Sequence, residues 1–446
     1  MKRQLRLSYP HLVAVGFAAV ILLGSLLLML PVSSNSGEAT PFLSCLFTAT
    51  SATCVTGLIV VDTFMHWSVF GRVVIITLIQ IGGLGFMALM TGFSMALHRQ
   101  ISLRQRTLLK ENFNTPDTAG MAKLVKKILI GTVAVELSGA VLFATRFIPK
   151  FGFWDGLGRS VFLAISAFCN AGFDLLGDQG EFSSLVSVGN DAVIVITAAL
   201  LILIGGIGFL VWDDVVTHGF RFRAYRLHSK LTLTVTIGIT VITTAMFLFL
   251  EREHTGADQS FAQQLLNAFF ASVTPRTAGF NSVDVNAMHP ASGALTTLLM
   301  FVGGSSGSTA GGVKTTTIAV LVLCCLSNLF NKSGFNLFRR RLPKGSIVQA
   351  VSVVGIQLMM ALTGVFLISA AQPELPLTDI IYECFSAIDT VGMTTGVTRE
   401  LSAFSQVVVL FMMYCGRLGT LTFAMVFVQK TKQDPLQYPE ETVSIG

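Results

Sequence analysis

Phe47-Thr-Ala-Thr-Ser-Ala-Thr-Cys-Val-Thr-Gly57-Leu58 is the stretch on which the reading of this chain turns. It is rich in small residues, carries a glycine near its end and lies between two long apolar runs. Three weaker copies follow. Phe162 to Gly172 closes with Phe168-Cys-Asn-Ala-Gly172-Phe173, and Phe269 to Gly279 closes with Pro275-Arg-Thr-Ala-Gly279-Phe280. Tyr382 to Gly392 closes with Ile388-Asp-Thr-Val-Gly392-Met393. In all four, an aromatic residue lies ten positions before the glycine, and Ser-Ala recurs at one offset in three of them (Ser51-Ala52, Ser166-Ala167, Ser386-Ala387).

Such a stretch reads as a helix that enters a membrane part-way and returns as extended backbone. Non-helical backbone persists at membrane depth only where it lines a watery path or is buried in protein. Four copies in one chain suggest a ring of carbonyl oxygens that replaces the hydration shell of an ion. Thr390-Val391-Gly392 also spells the first three letters of the T-V-G-Y-G potassium filter.

Composition excludes a soluble protein of 446 residues: 52% is hydrophobic and 12% charged, against roughly 25% charged in soluble domains. The net charge of +6 is no sign of nucleic-acid binding once its residues are located. Basic residues gather at Lys2–Arg6, Arg99–Lys127, Arg221–Lys230, Lys332–Lys344 and Lys430–Lys432, between apolar segments. Many acids occupy the alternate gaps, among them Asp174, Asp178, Glu181, Glu251, Glu253, Asp258, Glu374 and Asp379. By the positive-inside rule both termini are cytoplasmic. The seven cysteines form no C-x-x-C pair and the seven histidines have no metal-ligand spacing, so neither set points to bridges or a metal site. The apolar run from His11 to Leu30 is long enough to remain as a spanning helix rather than a cleaved leader.

Spanning segments are expected at Leu12–Leu30, Val69–Leu97, Leu124–Phe147, Ala192–Thr217, Leu231–Leu250, Leu295–Phe330, Ile347–Ala371 and Phe404–Val428. A half-crossing after every odd one makes four helix–pore loop–helix units, over 1–110, 111–230, 231–345 and 346–446. A second repeat runs in step with the first. Each second helix carries glycines: Ile81-Gly-Gly-Leu-Gly85, Ile204-Gly-Gly-Ile-Gly208, Val302-Gly-Gly-Ser-Ser-Gly307 and Cys415-Gly-Arg-Leu-Gly419. The first of these glycines follows the filter glycine by 24 or 25 positions in three units and by 33 in the second. Such repeats imply like parts meeting round an axis, although small residues also simply let helices pack closely. The expected fold is an all-α integral membrane protein with eight spanning helices and pseudo-fourfold symmetry round one pore.

Thr274-Pro-Arg-Thr-Ala-Gly-Phe280 and Val302-Gly-Gly-Ser-Ser-Gly-Ser-Thr-Ala-Gly-Gly-Val-Lys-Thr-Thr316 are the most specific features of a resemblance that covers essentially the whole chain. The chain resembles the Trk, Ktr and HKT superfamily of potassium-uptake proteins, and within it the membrane subunits of bacterial Ktr systems. The resemblance implies a potassium-translocating subunit of the cell membrane, a homodimer in the lipid bilayer with one pore per subunit. It also implies a cytoplasmic ring of nucleotide-binding regulatory subunits. No cofactor is expected in this chain. Potassium is the permeant ion, and activation by sodium is left open.

The filter positions in register are Val55, Thr56 and Gly57; Asn170, Ala171 and Gly172; Thr277, Ala278 and Gly279; and Thr390, Val391 and Gly392. Arg276 and Asp389, each three before its glycine, are expected to support the filter by pairing behind it, the alternative being separate partners. Five glycines and four hydroxyl residues fall among the twelve residues Gly303 to Lys314. A helix propagates poorly through that run, since each glycine costs about 1 kcal/mol. By resemblance it is an intramembrane gating loop comprising Gly303, Gly304, Ser305, Ser306, Gly307, Ser308, Thr309, Ala310, Gly311, Gly312 and Lys314. Lys314 is read either as an electrostatic plug or as a side chain snorkelling to the cytoplasmic edge. Arg417, in the slot held by Gly83, Gly206 and Gly304 elsewhere, is expected to donate to carbonyls of this loop.

Two other readings are weighed. A sodium-coupled secondary transporter fits the same segments. Gly303-Gly-Ser-Ser-Gly307 matches G-x-S-x-G and nominates Ser305 as the nucleophile of an intramembrane hydrolase, but without the strand–turn–helix setting that motif needs. Gly307 to Thr315 nearly spells a P-loop, with one residue too many before the lysine and no strand ahead of it.

Overall fold

The computed structural model describes residues 9–85, 121–219, 221–330, 336–338, 340–341, 343–419, 423 and 441. The basic residues Lys2–Arg6, Arg99–Lys110 and Lys430–Lys432, the unit boundary near Glu111, and the far ends of the spans expected to reach Leu97 and Val428 lie outside them.

Four times along the chain a long apolar helix is followed by a short buried one, an extended strand and a second helix. The long helices are α1 (Tyr9–Leu28), α4 (Met121–Phe151), α8 (Leu227–Leu250) and α12 (Lys344–Ala371). Each is long and apolar enough to cross a bilayer. The short helices are α2 (Phe42–Cys54), α5 (Phe153–Cys169), α9 (Phe261–Val273) and α13 (Leu377–Ile388). Second helices are α3 (Val69–Leu84), α6 (Ala192–Gly206), α10 (Pro290–Phe301) and α14 (Ala403–Leu418). All four second helices start at a side chain that accepts from their own first turn: Ser68, Asp191, His289 and Ser402. The remaining described elements include α7 (Phe209–His218), α11 (Thr315–Leu329) and a two-residue hairpin, Asn336–Leu337 with Arg340–Arg341.

The helices close on themselves. The short helix of each unit packs on the second helix of the unit before it: α5 on α3, α9 on α6 and α13 on α10. The cycle is completed by α2 of the first unit on α14 of the last. The C-terminal parts of the short helices are buried inside this ring.

The second helices are not the uninterrupted spans read from the sequence. Gly85, Gly208 and Gly419 take positive φ (80°, 96° and 81°), which ends α3 and α14 and separates α6 from α7. α6 and α7 lie at 95° to each other, so Ala192–Thr217 is a bent pair rather than one straight helix. Hydropathy counted these glycines as neutral members of an apolar run, whereas their missing Cβ makes them the cheapest places to break a helix. The expected span Leu295–Phe330 is divided into α10 and α11 by residues 302–314.

Candidate functional site

Each of the four strands turns away from its short helix through the same pair of unusual backbone conformations. Val55, Asn170, Thr277 and Thr390, two residues before the glycines, have φ of 57°, 58°, 72° and 52°. Gly57, Gly172, Gly279 and Gly392 have φ of 98°, 72°, 80° and 95°. Side chains resist the left-handed region, so four such non-glycine residues in register mark a conformation held by its surroundings. Part of that hold is the recurrent serine. Ser51 Oγ accepts from the Gly57 amide, Ser386 Oγ from the Gly392 amide and Ser166 Oγ from the Phe173 amide, all at 3.0 Å. The Ser-Ala recurrence in the sequence was the sign of these braces, whose role was not assigned from the sequence. In the third unit Thr274 Oγ1 serves instead, donating to the Phe280 carbonyl at 2.6 Å.

The strands meet in a cycle. A Cβ built on Gly57 would lie 2.7 Å from the Ala171 carbonyl oxygen, and one on Gly172 would lie 3.0 Å from that of Ala278. On Gly279 it would be closer still to the Val391 oxygen, and on Gly392 to the Thr56 oxygen. Every glycine therefore gives its side-chain space to the carbonyl one position before the next glycine, and the fourth returns to the first. On one side of the ring is a funnel of roughly 300 Å³ touching all four glycines. Its wall holds Asp62, Asp174, Glu181 and Asp284 against Arg399, an excess of negative charge that raises the local concentration of cations. Burial, reinforced by the Asp62 carboxylate, pushes the Asp174 carboxyl at this mouth up to about 6.

Beneath the ring, residues 303–314 form a loop pinched at its neck. The Gly303 amide donates to Val313 O at 2.9 Å and the Thr315 amide to Gly304 O at 3.0 Å. The loop belongs to the third unit and touches the second and the fourth. Ser305 and Thr309 amides donate to Gly206 O and Gly205 O, and the loop's Gly307 O accepts from the Phe209 amide at 2.8 Å. These bonds satisfy the backbone freed where α6 breaks from α7. Thr309 Oγ1 donates to Phe168 O, at the end of the second short helix. Arg417 donates to Thr309 O and to Gly82 O and Gly83 O of the first unit, so the expected bond from Arg417 to the loop is present and the arginine also reaches α3. Lys314 neither snorkels away nor stands free: its Nζ donates to Ala310 O (2.7 Å) and Gly311 O (3.2 Å) within the loop.

Arg276 and Asp389 are both buried, but they do not pair. Arg276 Nη2 donates to Thr236 Oγ1 on α8 at 3.3 Å, whereas Asp389 Oδ1 accepts from Gln357 Nε2 on α12 at 2.9 Å. Equivalent positions on neighbouring strands of a ring point outward along diverging directions, so each side chain meets the long helix of its own unit rather than its counterpart. Gln357 was missed from the sequence because a lone glutamine in an apolar run has no spacing to announce it. Ser305, nominated as a nucleophile, is buried with its hydroxyl paired to Thr232 Oγ1 at 3.1 Å. Glycines 82, 205 and 416 do what close packing asks of them: each lies against a carbonyl at the end of a short helix (Thr53, Phe168 and Ile388). Five of the seven cysteines are buried and all are free thiols.

A family model for TrkH, described as a cation transport protein, matches residues 11–437. The potassium/sodium uptake protein NtpJ of Enterococcus hirae is 39% identical over 100% of this chain and 99% of its own length. Ktr system potassium uptake protein B of Bacillus subtilis is 38% identical over 99% of this chain and 97% of its own. Among solved structures, the potassium transporter TrkH of Vibrio parahaemolyticus aligns with a TM-score of 0.75 at 16% identity, over 96% of this chain and 87% of its own.

Proposed function

The chain belongs to the TrkH family of cation transport proteins, and we propose on that premise that it is the potassium-translocating membrane subunit of an uptake system. Ions pass in single file through the ring at Gly57, Gly172, Gly279 and Gly392. The observation that carries this reading is the closed cycle in which each glycine abuts the next strand's carbonyl. Carbonyl oxygens so gathered can replace the water around a dehydrated cation. Only one strand keeps Thr-Val-Gly, so fewer well-formed ion sites are expected than in a ring of identical strands. Membrane potential supplies the driving force, about 2.3 kcal/mol per charge per 100 mV.

Residues 303–314 are the gate in this proposal. Arg417 and the Lys314 ammonium hold it closed under the filter, and both are cations that repel a permeating ion while the loop is in place. The protein acts as a homodimer in the cell membrane with its termini in the cytoplasm. A cytoplasmic ring of nucleotide-binding subunits bears on it from the side where Lys123, Lys126 and Lys127 lie. The name of the Bacillus relative, a component of a Ktr system, supports a partner of that kind.

The test is ion flux from purified protein in liposomes under a potassium gradient. Potassium flux that falls on replacing Gly279 by Ser, with poorer rejection of sodium, is expected; unchanged kinetics would remove Gly279 from the filter. A second reading, sodium-coupled uptake, is favoured by the likeness to a protein named for both ions. Sodium moving with potassium in fixed ratio would establish it, whereas potassium flux without sodium would dispose of it.

A further inference from the structure

Asp389 stands at a junction that the filter and gate, taken separately, leave unexplained. It is fully buried at the start of the fourth filter strand. On its outer side Gln357 donates to its Oδ1 at 2.9 Å and to the neighbouring Ile388 carbonyl at 3.2 Å. On its inner side the carboxylate faces the loop, its Oδ2 buried without a hydrogen-bond partner among the described residues, and Lys314 is near enough to act on it electrostatically. The loop is pressed against the same strand. A Cβ on Gly312 would lie 3.4 Å from Asp389 Oδ1, and one on Gly311 would overlap the Thr390 hydroxyl.

We propose that Asp389 is a positioning residue that fastens residues 303–314 to the fourth filter strand, so that moving the loop also loosens the filter and weakens discrimination between potassium and sodium. This rests on the loop being the gate. A carboxylate fixed to a long helix by a charge-assisted hydrogen bond on one side, and packed against the loop on the other, transmits displacement of either. The strand it anchors carries the positive-φ residue Thr390. That conformation persists only while its surroundings enforce it.

The experiment compares full-length parent, Asp389→Ala, Asp389→Asn, a variant shortened within Ser305–Gly311, and the shortened variant carrying Asp389→Ala. Potassium and sodium fluxes are measured in liposomes at matched protein incorporation. Asp389→Ala should raise resting potassium flux by about tenfold, the fold-change of one buried hydrogen bond to a charged group, and lower the potassium-to-sodium ratio. Asp389→Asn keeps an acceptor oxygen and should retain most of that ratio, which a purely space-filling role would not distinguish. Shortening the loop should lower the ratio too, and adding Asp389→Ala should lower it no further. If shortening raises flux but Asp389→Ala leaves the ratio at the parent value, or the two effects add, the fastening is refuted while the gate stands. Flux that fails to rise on shortening refutes the gate itself. Should Asp389→Ala not fold, Gly311→Ala separates loop from strand without touching the carboxylate; a parent-like ratio there is equally fatal to the proposal.

Discussion

A methyl group at Gly392 would sit against the Thr56 carbonyl oxygen in a backbone region that L-residues avoid, with φ of 95°. The left-handed strain alone is worth roughly 1–2 kcal/mol, and the displaced carbonyl is a proposed ligand of the ion. Gly392→Ala is therefore expected to lower potassium flux by at least about tenfold, since roughly 1.4 kcal/mol corresponds to one decade, and sodium rejection is expected to worsen. A flux measurement in liposomes that finds both unaltered would take Gly392 out of the pathway. At the same scale, Arg276 and Asp389 bond to Thr236 and Gln357 rather than to each other. Exchanging the two charges, Arg276→Asp with Asp389→Arg, should consequently give no recovery over either single reversal in a potassium-uptake growth assay. Recovery would mean that the pair forms in some functional state.

Among the elements, the loop between α10 and α11 has more partners than its sequence announces. It fills the place where α6 breaks, accepts from Arg417 and abuts the fourth strand. Loss of any one of these three attachments weakens the hold on the loop. Shortening Ser305–Gly311, and independently Arg417→Gln, should each raise flux at unchanged abundance. Lower or level flux in both would show that the loop supports the pore instead of closing it. The glycine-rich run was legible as a helix interruption, because five glycines in twelve residues cannot sustain a helix. The breaks at Gly85, Gly208 and Gly419 were not foreseen, because a single glycine at the end of an apolar run reads equally well as a packing residue.

At the scale of the molecule the funnel gathers carboxylates from several units around the mouth of the ring. Asp174, pushed up to about 6, is neutral below that pH and charged above it. Potassium uptake at low ionic strength should therefore climb as the external pH rises from about 5 to about 7, and Asp174→Asn should flatten that climb. An undiminished pH profile in Asp174→Asn, measured with the internal pH clamped, would assign the titration to another group.

The sequence by itself determined the membrane setting, the long helices and the four repeated segments with their glycines. Those features are local: twenty apolar residues suffice to cross a bilayer, and a fixed ten-residue offset from aromatic to glycine survives any reading of the rest. It also carried the family resemblance, in the third of those segments and the run beneath it. Only the tertiary structure decided that the four strands close into one cycle, each lending a carbonyl to the next. Ring closure depends on which short helix packs on which second helix, and those partners are far apart in the chain. The same holds for the fate of the buried charges. The register of Arg276 and Asp389 showed that they are equivalent, but equivalence within a ring sends side chains outward and apart, a direction that only coordinates supply.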